Sequence, residues 1–207
     1  MSTVVTSDPE FVFLGEHSAI DFANTLVAGR GGLVELLGSW GDMIDWLEES
    51  GALRKNSRAA RMVVSSPEGA VERVRALRSK WRVEISRLIE GEGVSESFAK
   101  LLNQLLEKDA FHETFGTGGG RRYRIERSPS SLRGEDLVLA VLAREIADFL
   151  AHSNFFYLRK CANSECVLFF YDTTKNHRRQ WCSTAVCGNR HKVAAFRERQ
   201  ARKRRMP

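Results

Sequence analysis

The chain has no cysteine before residue 161, no long apolar run, and only three acidic residues after position 158. Each scarcity excludes something. A membrane-crossing helix needs ~20 consecutive apolar residues, so an embedded protein is not expected. Residues 1–8 show no basic stretch followed by an apolar core, so a secretory signal is not expected either, which points to the cytoplasm. The catalytic patterns G-x-S-x-G and H-E-x-x-H are missing. The glycine-rich stretch 116–120 lacks the phosphate-loop pattern, and His112-Glu113 and His152 stand isolated. An enzyme is therefore not expected. No internal repeat or low-complexity segment precedes the basic tail.

What is present is unevenly distributed. The 207 residues are 43% hydrophobic and 28% charged, enough for one large domain or a medium domain with a small one. The net charge of +6 divides sharply. Residues 159–207 hold thirteen Lys/Arg against three acids, a net of +10, while the first 158 hold nineteen against 23, a net of −4. Basicity confined to one module is the electrostatic footprint of a polyanion binder, although a merely solubilising tail would carry the same charge.

All four cysteines lie in that module, as Cys161-x4-Cys166 and Cys182-x4-Cys187. Two close pairs joined by a hairpin-length loop suit a tetrahedral Zn²⁺. Two disulfides would use the same residues, but disulfides persist mainly in oxidising compartments. Four sulfur ligands leave no open position, so the metal is read as structural. His177 and His191 are alternative ligands but are read as basic-surface residues.

Local signals divide the rest. A short strand is predicted over 11–15 and a helix over 18–28. Ser39 with Asp42 three residues on predicts a capped helix ending at Gly51. Ser66-Pro67-Glu68 opens a long amphipathic helix running to Ile89, and Ser95 begins another through Lys108. A hairpin is predicted over 111–115 and 121–127, then a helix over 135–157. In the module, strands over 167–172 and 177–181 form a hairpin, and Ser183 caps a helix through Cys187 and past Phe196. The expected fold is α+β: a mostly helical domain with a small antiparallel sheet over 1–157, then a treble-clef-like zinc finger over 158–207. So small a module needs its metal to fold.

The run Cys187-Gly188-Asn189-Arg190, with its three preceding cysteines, resembles the CGNR-type zinc finger of bacterial regulators. Residues 21–26, Asp-Phe-Ala-Asn-Thr-Leu, resemble the opening of the ABATE domain that precedes this finger, a family named for stress-induced transcription regulation. The resemblance implies one zinc ion on the four cysteines and DNA binding through the finger. RNA, or a finger that only staples the fold or docks a protein, is the alternative partner class.

Arg178, Arg179, Asn189, Arg190, His191, Lys192 and Arg197 are the candidate nucleic-acid contacts, Asn and Arg being suited to base edges. Arg190 could instead bridge to Glu145 or Asp148. Phe169, Tyr171 and Trp181 could stack on bases but fit a small core better. In the first domain His17, Asp21, Asn24 and Thr25 are candidates to line a pocket for a small-molecule effector. The competing role is bonding to nearby backbone. Oligomeric state is not legible.

Overall fold

The structure, a computed structural model, describes residues 11–29, 31–53, 60–61, 64–108, 112–118, 122–128 and 132–205. Three helices carry its centre: α3 (Pro67–Ile89), α4 (Glu96–Glu107) and α5 (Gly134–His152). The apolar face of α3, from Val71 and Val74 through Trp81 to Leu88, is buried as its spacing of three and four requires. Trp81 is the hub. Its ring stacks on Phe98 at 5.9 Å, meets Phe149 edge-on at 6.0 Å, and donates from Nε1 to the Ala19 carbonyl at 2.8 Å.

Local signals govern where these helices begin. Ser66 Oγ accepts from Gly69 N–H, and Pro67 stands where its missing N–H costs nothing. Ser95 caps α4 and is itself held by Glu84, whose carboxylate accepts from the Ser95 N–H at 2.9 Å. Helix α2 (Trp40–Glu49) opens with the expected reciprocal capping box of Ser39 and Asp42.

The first predicted helix is shorter than its periodicity suggests. Helix α1 spans Ser18–Ala23 only, and Leu26–Gly29 (β1) pairs antiparallel with Gly32–Glu35 (β2). The turn demands glycine twice: Gly32 has φ +131°, and a Cβ on Gly29 would lie 2.5 Å from Val34. Residues 11–15 form no strand, and α5 stops at His152 instead of Tyr157. There Asn154 Oδ1 accepts from Phe156 N–H and starts a 3-10 turn, Phe155–Tyr157. Strands β3 (His112–Gly118) and β4 (Arg122–Ser128) form the expected hairpin; Phe111 and Arg121, given to it by the sequence, lie outside the described residues.

The second correction concerns the finger. Strand β6 (Phe169–Tyr171) pairs with β5 (Leu158–Lys160), which precedes the first cysteine, and not with residues 177–181. Asp172 explains why. Its fully buried carboxylate accepts from the Thr174 N–H and hydroxyl and from the Arg179 N–H at 2.9 Å, folding 172–179 into a loop. His177, with φ +47°, cannot continue a strand there. The result is α+β: helices around one core, three two-stranded antiparallel sheets among the described residues, and a knuckle-hairpin-helix finger at the C-terminal end.

Candidate metal centre and basic surface

The period of two along β6 joins the two halves of the molecule. Phe169 turns into the main core with Leu158, while Phe170 turns the other way, into a second cluster with the four cysteines. Between β5 and β6 the chain makes a knuckle: Cys166 N–H donates to the Asn163 carbonyl at 2.9 Å, and Cys161 N–H donates to Leu168 O at 3.0 Å. The second pair begins on a tight turn. Ser183 Oγ accepts from Val186 N–H, a π-type turn covers Thr184–Gly188, and α6 (Asn189–Arg205) follows at once.

All four cysteines are buried, and their sulfurs lie within 4.8 Å of one another. Cys182 Sγ is 3.7 Å from that of Cys166 and 3.6 Å from that of Cys187. A tetrahedron with Zn–S of about 2.3 Å has sulfur separations of about 3.8 Å, so the residues fit one zinc ion. A disulfide needs about 2.05 Å and is not formed. The Cys182 N–H points at Cys161 Sγ at 3.5 Å, the orientation that favours a thiolate.

Four thiols this close compete for their protons. The Cys182 contact draws the Cys166 thiol down to about 5, and the same contact pushes Cys182 up. Burial raises Cys187. A divalent cation would resolve that competition, because Cys161, Cys166, Cys182 and Cys187 would each hold it as thiolate. With four sulfurs and no fifth donor among the described residues, the ion's part would be to hold the two cysteine pairs together.

Neither histidine belongs to the site. His177 stacks on Tyr157 at 3.9 Å, and the His191 ring lies 5.7 Å from that of Trp181.

Two family models match the chain. One, for the CGNR zinc finger, covers residues 157–200. The other, ABATE, described as "Putative stress-induced transcription regulator", covers residues 16–153. The chain belongs to the ABATE family. No curated protein matches it.

In this ABATE protein the finger is bolted to the helical domain by side chains that the sequence alone did not single out for that task. Asn24, fully buried, donates from Nδ2 to Phe169 O at 2.8 Å and accepts from Phe169 N–H at 2.9 Å, taking the place of a third strand beside β6. Arg82, on α3, donates to Val167 O at 2.7 Å and to Ala23 O, with its guanidinium 4.9 Å over the Phe169 ring. Burial lowers the Arg82 pKa. Arg179 closes the far side. It pairs with Glu16 at 3.0 Å, donates to the Trp181 and Cys182 carbonyls, and lies 4.6 Å over Phe170.

The sequence candidates therefore separate. Arg179 is committed to these intrachain bonds, whereas Arg178, Asn189, Arg190, His191, Lys192 and Arg197 are exposed. Glu145 is bonded to Ser18, and Asp148 faces His17 and His152, so neither receives Arg190. Gly188 packs on Trp181, and an added Cβ would sit 3.5 Å from that ring and from Thr184, an ordinary contact.

The four effector candidates are bonded within the fold. His17 Nδ1 caps α1 by accepting from Ala19 N–H. Asp21 accepts from Gly15 N–H at 2.7 Å, and burial raises its pKa to about 6. Thr25 donates to Phe22 O and accepts from Arg78. A cleft of about 480 Å³ lies elsewhere, between α3, α4 and α5, floored by Leu77, Leu101, Leu105 and Leu139. Among the described residues no helix is long and apolar enough to cross a membrane.

Proposed function

We propose that this protein is a transcription regulator that binds duplex DNA through its zinc finger, with α6 as the contacting helix and the α1–α5 domain as its rigid support. The observation that carries the reading is the position of α6. It begins two residues after the fourth zinc ligand, and its Arg190, Lys192, Arg197 and Arg199 are all exposed. Eight Lys/Arg against one acid on this helix make it the densest positive charge on the chain. The tie between Arg179, Cys182 O and Glu16 fixes the metal site on the domain, so the metal site aims the base of the helix. Phosphate contacts by such a helix release counterions and make affinity steeply salt-dependent. The reading assigns the protein no catalytic step.

The test is fluorescence anisotropy of a labelled random duplex titrated with zinc-loaded protein across a salt series, beside an RNA hairpin of equal charge. Log affinity should fall linearly with log salt, at about −0.9 per neutralised phosphate, with DNA bound more tightly than RNA. Arg190→Ala should weaken binding on every sequence and make the slope shallower by about 1. Absence of binding to either nucleic acid at low salt would leave a protein-docking finger as the better reading.

A further inference from the structure

We infer that α6 reads A·T base pairs in the major groove through an uncharged ridge formed by Asn189, Val193, Phe196 and Gln200. This rests on the DNA-binding reading above and names what the helix recognises.

Helical register separates the faces of α6. At about 100° per residue, positions 189, 193, 196 and 200 recur at i, i+4, i+7 and i+11 and fall on one narrow stripe. His191, against Trp181, and half-buried Ala195 lie roughly opposite, on the side turned to the body. The ridge therefore points outward. Val193 is 40% and Phe196 55% exposed, large apolar groups left in water in the middle of a strongly cationic helix. Cations flank the ridge in matched pairs two turns apart: Lys192 and Arg199 on one side, Arg190 and Arg197 on the other.

That cross-section is complementary to a B-form major groove, which admits one helix with a phosphate wall on each side. The flanking pairs meet the two walls. The ridge meets base edges, and its chemistry is selective. Asn and Gln each offer a donor and an acceptor that match adenine N7 and N6, and apolar side chains pack on the thymine methyl. Eleven residues of helix rise roughly 16 Å, about the rise of five base pairs. RNA offers neither feature, since its major groove is narrow and deep and uracil has no methyl. A second copy of α6 is a poor cover for the ridge, because two helices of this charge repel.

The experiment is selection from a random duplex library with the zinc-loaded full chain, followed by thymine-to-uracil replacement in the enriched duplex, which removes only methyl groups. Enrichment of an A·T-rich motif is expected, with affinity falling roughly fourfold for each contacted methyl removed. Asn189→Ala should cost roughly tenfold on the enriched duplex. Phe196→Ala should bring affinity for it toward that for random duplex; the residue is exposed, so its melting curve should match wild type. A G·C-rich motif, or no motif with salt-linked binding intact, would overturn the ridge reading and leave DNA binding standing. Failure to bind any duplex at low salt would remove both. A wild-type dimer that Phe196→Ala dissociates without DNA would make the ridge a self-association surface and overturn the inference.

Discussion

Asp21 is a carboxylate placed where little water reaches it, only 7% exposed on α1. Its Oδ1 accepts from Gly15 N–H, which favours the charged form, but burial outweighs that bond and lifts the pKa from 3.8 to about 6. The sign of the linkage follows. Between pH 3.8 and 6 the folded chain keeps a proton that the unfolded chain releases, so the stability this group contributes is complete below that window and lost as pH rises through 6. Asp21→Asn keeps the acceptor for Gly15 and removes the titration. Relative to that variant, wild type should lose about 1 kcal/mol between pH 5 and 7.5, measured by urea unfolding with zinc present. A difference that stays flat across this range would mean Asp21 titrates normally.

At the scale of elements, the decisive contact joins the end of α1 to β6. Asn24 was legible as one of a group of polar residues, but not for its task, because its partner is 145 positions away and is backbone. The same long-range pull explains why α1 stops at Ala23: the Asn24 side chain serves Phe169, and the chain turns into β1. Helix starts at Ser39, Ser66 and Ser95 were readable because a cap is a bond within three residues. The cysteine pairs were readable for a similar reason, since metal ligation imposes its own spacing. Strand pairing in the finger was not. Residues 177–181 read as the ladder partner of 167–172 across a polar turn, yet Asp172 claims the Arg179 N–H, and β6 instead pairs with a strand outside the cysteine frame. Asn24→Ala should leave the Phe169 N–H and carbonyl buried without partners, costing about 2–4 kcal/mol of stability. Chemical denaturation of the zinc-loaded variant measures it. A loss below about 0.5 kcal/mol would mean that water replaces the amide.

At the scale of the whole molecule, the metal and the apolar core hold different parts of the finger. Strands β5 and β6 belong to the helical domain's core through Leu158 and Phe169, and Tyr171 N–H donates to Gly15 O at 3.1 Å. Among the described residues, those from Cys182 onward are fixed by the sulfurs, the Arg179 bonds and the small apolar cluster that the cysteines share with Phe170 and Trp181. Zinc binding to such sites is worth roughly 10–16 kcal/mol apparent, but chelation should not release that energy evenly. Removing the metal should loosen the turn at Thr184–Gly188 and the base of α6 while β5 and β6 stay docked. Hydrogen exchange resolves the two parts. On chelation the amides of Val186 and Gly188 should lose protection by orders of magnitude, whereas those of Phe169 and Tyr171 should keep most of theirs. Cys187→Ser should give the same pattern without a chelator, together with loss of bound zinc. Uniform loss across both segments would make the metal a determinant of the entire fold. As the contacts stand, it sets the direction in which α6 points, and the DNA affinity proposed for that helix should vanish on chelation long before the helical domain unfolds.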